Sequence, residues 1–388
     1  MIPLRYNLRS LRTRWVTSLM TILGTALVVW ATVLAFGLGA GLDHTLEVSG
    51  GPLDLIAMRK GASAEIASII DRKVARQIEE TLPGIATDEN GRKLCSPELV
   101  VIVAATRSSD GGRTNLIIRG VTSAARALRP GLRVVEGREA KPGLREAITS
   151  RSVSKRFRGA GLGEELEVMG SKLVIVGVFD ADDSAAESEV WTDLAVIAEI
   201  SRRKGVVSSV QLRATGAQAL AEIKARLTGD EQFALKAISE KEYYAEQAIA
   251  GTAIKTVGWI IFVFLLIGAV FAMANTMFGA VVTRAREIGT LRALGFSRAS
   301  VVFGFLLESL TLALAGGLIG CLGTLPVNGL STGTANWVTF SEITFSFRFG
   351  PVVLLQGVLL AVLVGVAGGI FPAVRATRMK IVDALREI

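Results

Sequence analysis

The chain has 388 residues, of which 50% are hydrophobic and 20% are charged, and its mean hydropathy is positive. This combination excludes an ordinary soluble protein, which is less apolar, and a bare bundle of membrane spans, which is less charged. The net charge of +8 does not indicate nucleic-acid binding, because the basic residues flank apolar segments instead of alternating with aromatic residues. One histidine and two cysteines without a CxxC motif provide neither a His-rich metal site nor a disulfide framework.

The N-terminus combines arginines with leucines at helical spacing. Residues 1–14 are predicted to form a cytoplasmic amphipathic helix whose leucines lie among lipid headgroups, the alternative being a plain basic flank. Residues 15–42 contain no charged side chain and are long enough, at about 1.5 Å per residue, to cross about 30 Å of hydrocarbon. A cleaved signal peptide has a shorter apolar core, of about 7–15 residues. We therefore predict an uncleaved first span.

In residues 43–255 charged side chains recur every few residues, which is typical of a folded domain in water. Residues 99–106 and 115–119 are predicted to pair as strands across a D-G-G turn, and a helix is predicted over residues 64–82. The order strand–helix–strand occurs at both ends of this region, around a β-rich stretch at about residues 121–205. The pattern predicts an α+β domain with two βαβ-like flanks and an inserted β-rich subdomain.

Ser239 begins a segment that is predicted to be helical, with Glu242 as its partner in a capping box. No proline separates this segment from the next charge-free run, residues 256–283, which forms the second predicted span. One long helix is therefore expected to connect the aqueous domain to the membrane, either as a rod that carries motion or as a simple connection. Asn275 lies within this span and is expected to bond across helices or at a dimer seam.

The rest of the chain divides by hydropathy into a charged segment (284–298), a third span (299–326), a short outer link (327–348), a fourth span (349–374) and a tail (375–388). Arginine and lysine concentrate in the N-terminus, the charged segment and the tail, whereas the outer link contains only Arg348. The positive-inside rule therefore places both termini and the charged segment in the cytoplasm and the large domain outside.

Two features lie inside the predicted spans. Glu308 is about 15 Å along the third helix from Arg298, and it is either a functional charge or the partner of a cytoplasmic arginine. Glycines at 316–323 and 365–369 suit close helix packing. Few polar side chains accompany these glycines, which argues against the solute pathway of an ordinary secondary transporter.

No catalytic set emerges from the sequence. There is no G-x-x-x-x-G-K-[ST] phosphate loop, and a single histidine does not support a His-based triad. Asp180, Asp182 and Asp183 lack the glycine and the spacing of a calcium loop, so a solvated turn is predicted. The chain is therefore expected to be a non-catalytic subunit, without a cofactor or metal of its own.

Several motifs resemble the MacB/FtsX/LolCE-type permeases of ABC transporters. The charged core R-A-R-E-I-G-T-L-R-A-L-G-F-S, at residues 284–297, is the specific motif. The weaker motifs agree with it, and they lie at residues 306–310, 316–320, 371–378 and 383–386 in the membrane part and at 132–138 and 173–180 in the aqueous domain. The tail departs from the family in having Met379, Lys380 and Ile381 where a proline is common.

The resemblance implies an α-helical protein of the bacterial inner membrane, with four transmembrane helices and a large extracytoplasmic α+β domain, Porter-like and Sabre-like in its parts. It also implies partners: a second permease chain in a homo- or heterodimer, two copies of a cytoplasmic ATPase that bind ATP and Mg²⁺, and in some systems a periplasmic adaptor. The ATPase is expected in a separate chain.

The charged segment is the expected docking site of that ATPase. The resemblance assigns this role to Arg284, Arg286, Glu287, Ile288, Gly289, Leu291, Arg292, Leu294 and Gly295. Ile288, Leu291 and Leu294 are predicted to form an apolar stripe for a groove in the partner, with charged residues at its rim. Gly295 suits the end of a helix and Ser297 the start of the next one. The alternative is a loop that merely obeys the positive-inside rule.

Two functions remain open at this point. The first is an exporter or extractor permease for a hydrophobic or envelope-associated substrate, in which ATP hydrolysis by the partner moves the extracytoplasmic domain (mechanotransmission). The second is a signalling protein of the FtsX type, in which the same motion activates a cell-wall hydrolase or a sensor kinase.

Overall fold

The computed structural model describes residues 15–335 and 342–378. The predicted amphipathic helix at 1–14, the end of the tail and part of the outer link lie outside the described residues. The chain divides into a helical unit, made of Met1–Ala40, Ile254–Leu330 and Phe347–Ile388, and a sheet unit, made of Gly41–Ala253 and Ser331–Ser346.

Long apolar helices build the helical unit. In the part of the chain that the structure describes, four helices are long and apolar enough to cross a membrane: α1 (Trp15–Val48), α7 (Glu240–Thr283), α9 (Arg298–Thr324) and α10 (Pro351–Arg378). A short helix, α8 (Ala285–Ala293), lies between α7 and α9 in the sequence. Helices α1 and α7 both extend beyond the predicted spans, and α7 runs without interruption over 44 residues.

Glycines set how closely the helices of this unit approach. A Cβ atom on Gly320 of α9 would lie 2.6 Å from the carbonyl oxygen of Ala26 in α1, and one on Gly368 of α10 would lie 2.6 Å from the Cβ atom of Met273 in α7. Both distances are shorter than any tolerated carbon contact, so only glycine fits. The close packing expected for these glycines is present in the structure.

The sheet unit has helices interspersed with strands. Its helices in the described residues are α2 (Arg72–Thr81), α3 (Ala124–Leu128), α4 (Arg151–Arg156), α5 (Leu194–Ile200) and α6 (Ala217–Gly229). Its strands are β1 (Asp54–Arg59), β2 (Ile70–Asp71), β3 (Cys95–Thr106), β4 (Arg113–Val121), β5 (Arg133–Gly137), β6 (Glu146–Ser150), β7 (Glu165–Val168), β8 (Ser171–Asp180), β9 (Glu189–Asp193), β10 (Val206–Val207), β11 (Ser209–Arg213), β12 (Leu235–Ser239), β13 (Ser331–Ala335) and β14 (Glu342–Ser346).

Ten of these strands form one mixed sheet with the order β12-β1-β11-β3-β4-β9-β6-β8-β5, and β7 pairs with β8. The two strand–helix–strand units at its β12 end, β1-α2-β3 and β11-α6-β12, interleave, because β11 lies between β1 and β3 while β1 lies between β12 and β11. Strands β5 to β9 fall within the β-rich stretch of the sequence. They continue the same sheet through a parallel pairing of β9 with β4.

One layer of helices covers the apolar core of this sheet. Ile78 of α2, Ile197 of α5 and Leu227 of α6 are fully buried in a single cluster with the apolar side chains of the strands. The predicted helix at 64–82 begins later than expected, at Arg72. Asp71 caps it by accepting a hydrogen bond from the Lys73 backbone N–H, and the residues before it pair with β10 as strand β2.

The outer link is a β-hairpin where the structure describes it. Strands β13 and β14 pair in antiparallel fashion and belong to the sheet unit, although their neighbours in the sequence are membrane-type helices. The Ser346 hydroxyl hydrogen-bonds the Asp183 carboxylate at 3.2 Å. Asp182 and Asp183 have positive φ angles and form the turn after β8.

Candidate functional site

The segment 284–297 folds as a short helix with a defined end. Helix α8 ends in two hydrogen bonds, from the Phe296 N–H to the Leu291 carbonyl and from the Gly295 N–H to the Arg292 carbonyl. These two bonds require a left-handed residue, and Gly295 supplies it with φ of +90°. The Ser297 hydroxyl then accepts from the Ser300 N–H and starts α9. Both helix-end predictions made from the sequence are confirmed.

Arg284 fixes the start of α8 to the rest of the helical unit. Its guanidinium donates to Glu308 at 2.8 Å and to Glu287 at 3.1 Å, and it lies 5.4 Å from the centre of the Phe305 ring. The Arg284 and Glu308 side chains are only 12% and 6% exposed. Of the two alternatives for Glu308, the structure contains the arginine pair.

A double-mutant cycle on this pair is expected to give a coupling energy of about 1–3 kcal/mol, because both side chains are shielded from water and are joined by a charge-assisted hydrogen bond. The cycle uses Arg284→Met, Glu308→Gln and the double variant, with thermal unfolding of the detergent-solubilised chain as the measurement. The more exposed Glu287 provides the control, since Glu287→Gln should show coupling below about 1 kcal/mol. Equal coupling for Glu287 and Glu308 would show that the buried pair does not stabilise α8.

The predicted apolar stripe does not form one surface. Ile288 is 4% exposed and packs in the core of the helical unit, whereas Leu294 is 72% exposed and Leu291 is intermediate. At about 100° per residue, each step of three residues moves the side chain about 60° around the helix, so Ile288 and Leu294 point about 120° apart. Ile288 is therefore buried in this structure, and its contact with a partner stays a prediction.

The other predicted docking residues also separate into two groups. Gly289 is buried and Arg284 is held by its ion pair, so both face the helical unit. Arg286 and Glu287 are exposed, as are Leu294 and Gly295, while Arg292 is intermediate. We define the exposed surface of α8 as Arg286, Glu287, Thr290, Ala293 and Leu294.

Asn275 lies on an exposed face of α7. Phe264 and Phe271 are exposed on the same face, at 71% and 70%. Within the described residues nothing hydrogen-bonds the Asn275 side chain, so it does not bond across the helices that the structure describes. The expectation of a bond at a dimer seam is left as a prediction.

A buried charge network in the sheet unit was not anticipated from the sequence. Arg119 of β4 is fully enclosed and donates to Glu65, Glu98 and Glu189 at 2.6 to 2.9 Å. Burial opposes the charge on Glu65, but the charge and hydrogen bonds of Arg119 outweigh it and lower the pKa of Glu65. The only sequence signal was a charged residue in the middle of the apolar strand L-I-I-R-G-V.

Two family matches cover most of the chain. Residues 18–229 match the MacB-like periplasmic core domain, and residues 259–381 match the FtsX-like permease C-terminal domain. The first match alone covers more than half of the chain, and it includes most of α1 and most of the sheet unit.

Curated relatives agree with these matches. The chain is 26% identical to the "Uncharacterized ABC transporter permease YknZ" of Bacillus subtilis (strain 168) over 99% of this chain and 98% of that one. It is 24% identical to the "Macrolide export ATP-binding/permease protein MacB" of Burkholderia thailandensis over 95% of this chain, but it spans only 57% of that longer relative.

Solved structures similar to the chain include two aqueous domains. One is the extracellular domain of the ABC-type transporter YknZ from Gram-positive bacteria, with a TM-score of 0.36 and 17% identity over 48% of this chain and 99% of that one. The other is the periplasmic region of MacB from Actinobacillus actinomycetemcomitans, with a TM-score of 0.37 and 11% identity over 52% of this chain and 94% of that one.

The order of the two family domains matches the order of the structural features. The periplasmic core match comes first and contains most of the mixed sheet, and the permease match follows and contains α8, α9 and α10. The relative of nearly equal length, which carries the name of an ABC transporter permease, aligns over 98% of its own length. The chain thus belongs to the MacB- and FtsX-like family of ABC transporter permeases.

Proposed function

We propose that this permease is driven by a separate cytoplasmic ATPase, which docks on the exposed surface of α8 and moves the sheet unit to export or extract a hydrophobic or envelope-associated substrate. The observation that carries the proposal is the construction of α8. Its inner side is fixed by buried Ile288 and by the Arg284–Glu308 pair, while its outer side exposes Leu294 beside Arg286 and Glu287. A short helix held firmly on one side and exposed on the other suits the transfer of force.

Helix α7 is the proposed route of that motion. Strand β12 ends at Ser239 and α7 begins at Glu240, so no flexible linker separates the sheet from the helix. The capping box predicted from the sequence is present: the Glu242 N–H donates to the Ser239 hydroxyl at 3.2 Å, and the Ser239 N–H donates to Glu242 at 3.1 Å. The helix then continues to Thr283, about 65 Å at 1.5 Å per residue, and α8 follows.

The partners and the orientation are parts of the same proposal. The basic flanks of the spans support a chain in the inner membrane whose two termini and α8 lie in the cytoplasm. The sheet unit then lies outside. ATP and Mg²⁺ would be bound by the ATPase. An amide on the apolar face of a membrane helix needs a hydrogen-bonding partner, so Asn275 supports a second permease chain beside α7.

Replacing Leu294 with aspartate is expected to reduce recovery of ATP-hydrolysing activity with the affinity-purified permease by about tenfold or more. The reason is that a charge in a desolvated apolar contact costs several kcal/mol unless it is paired. The measurement is ATP hydrolysis in the eluate from native membranes, normalised to the amount of permease. A photo-crosslinking residue at position 294 identifies the chain that touches α8.

The matched control is Leu144→Asp, which places the same charge on an exposed leucine of the sheet unit. Its recovery of ATPase should equal that of the unmodified chain. If Leu294→Asp retains full ATPase recovery, or if position 294 crosslinks only to lipid, the exposed surface of α8 is not the docking site.

A further inference from the structure

The sheet unit contains a cavity among three of its loops. It has a volume of about 570 Å³ and is bounded by three loops, at residues 48–54, 128–132 and 181–186, and by the first turn of α7. Leu53, Leu132 and Ala186 are among its apolar lining residues. Cavities of about 300–1,000 Å³ with mostly apolar walls and a few polar groups are typical of small-molecule sites.

Glu240 supplies an unpaired carboxylate to this cavity. It lines the wall, is only 5% exposed, and forms no hydrogen bond or ion pair with any residue that the structure describes. A buried carboxylate without a partner carries a large desolvation cost, which a ligand of opposite charge would remove. Glu240 therefore lacks a counter-ion that would offset the cost of its burial.

Both arginines that line the cavity already have carboxylate partners. Arg213 donates to Asp54 at 2.6 and 2.8 Å, and Arg129 donates to Glu98 at 2.8 and 2.9 Å. The two lining arginines are therefore engaged, and the carboxylates of Glu240 and Asp182 give this wall a negative surplus. The complementary ligand carries a positive charge.

The surroundings of Glu240 raise its pKa towards neutral pH. Burial raises the pKa of Glu240 to about 7, Arg129 opposes the rise, and the carboxylates of Asp54, Glu98 and Glu65 add to it. Tyr244, one turn further along α7, also lines the cavity and stays neutral because burial raises its own pKa. An ammonium group in the cavity would favour the ionised form of Glu240.

We propose that this cavity binds a small apolar amine, with Glu240 as the counter-ion of its ammonium group. The site lies entirely in the sheet unit and does not depend on ATPase docking, so either proposal can fail without the other. A neutral apolar compound of the same shape would lack the ion pair and bind less tightly.

The test compares phenethylamine with phenethyl alcohol, by calorimetric titration of the full chain in lipid nanodiscs with empty nanodiscs as the blank. We expect the amine to bind at least tenfold more tightly than the alcohol. Glu240→Gln should remove that preference, whereas Glu246→Gln, which changes an exposed carboxylate on the same helix, should preserve it. Equal affinity for the two compounds, no measurable amine binding, or an unchanged preference in Glu240→Gln would overturn the proposal.

The pH dependence of the unmodified chain gives a second measurement that needs no variant. Only ionised Glu240 pairs with the ammonium group, and with its pKa at about 7 the ionised fraction rises about tenfold from pH 6 to pH 8. Amine affinity should rise by that factor while alcohol affinity stays constant. A flat amine profile would refute Glu240 as the counter-ion even if Glu240→Gln failed to fold.

Discussion

Replacing Arg119 with methionine is expected to lower the free energy of unfolding of the sheet unit by about 3–5 kcal/mol. The arginine is the shared cation of three buried carboxylates, Glu65, Glu98 and Glu189, and its removal leaves them facing one another without a counter-ion. Methionine fills much of the volume, so the loss reports the charge network more than a cavity. Arg129 would still pair with Glu98, but not with the other two carboxylates.

Trp191 offers a direct probe of this change. Its indole N–H donates to Glu189 at 2.7 Å and its ring is buried, so its fluorescence follows the network itself in a chain whose other four tryptophans are replaced by phenylalanine. In thermal unfolding of the full chain we expect the midpoint to fall by roughly 10 °C, at about 2–4 °C per kcal/mol for a domain of this size. Arg126→Met, which breaks an exposed pair with Glu139, should shift it by less than about 2 °C. Equal shifts for the two variants would contradict a stabilising role for the network.

Replacing Gly320 with leucine is expected to prevent α1 and α9 from reaching their observed separation. Even the first carbon of the new side chain would meet the backbone oxygen of Ala26 at 2.6 Å and the backbone nitrogen of Trp30 at 3.0 Å. Backbone atoms cannot rotate away as a flexible side chain can, so the helices must move apart. The cost should reach or exceed the upper end of the usual range for overpacking, about 3 kcal/mol.

The yield of monodisperse protein in size-exclusion chromatography and the midpoint of thermal unfolding both measure this effect. Gly24→Leu is the matched control, because Gly24 lies on α1 with no described atom within 4 Å of its missing Cβ. The control should behave like the unmodified chain. If Gly320→Leu did the same, the close approach of α1 and α9 would not be required for folding.

Local signals in the sequence were enough for the helix ends. A serine followed three residues later by glutamate identified the capping box at Ser239, and a glycine and a serine in sequence located the end of α8 and the start of α9. Long apolar runs, three of them free of charged residues, likewise predicted the four apolar helices. Each of these features depends on residues that are neighbours in the chain, so a single sequence is enough to predict it.

Features that depend on distant residues could not be predicted in the same way. The carboxylates around Arg119 include Glu65 and Glu189, which are 54 and 70 positions away in the chain. Ile288 has the same local pattern as Leu294, and only the packing of other helices decides which one is covered. The start of α2 moved to Arg72 because the preceding residues pair with β10, more than a hundred positions later.

The order of the sheet has a mechanical consequence for the connections to α1 and α7. Strand β1 follows α1, strand β12 precedes α7, and the two strands are antiparallel neighbours whose pairing starts at Leu55 and Ser239. A force that pulls α1 and α7 apart would therefore break the hydrogen bonds between β1 and β12 one at a time. The pairing is weakest against a force in this direction. Gly50 opposes such opening, because its missing side chain lets the chain after α1 lie against the backbone of Lys241. We therefore expect the two connections to resist a force that displaces both strands in the same direction, and to yield to a force that separates one strand from the other.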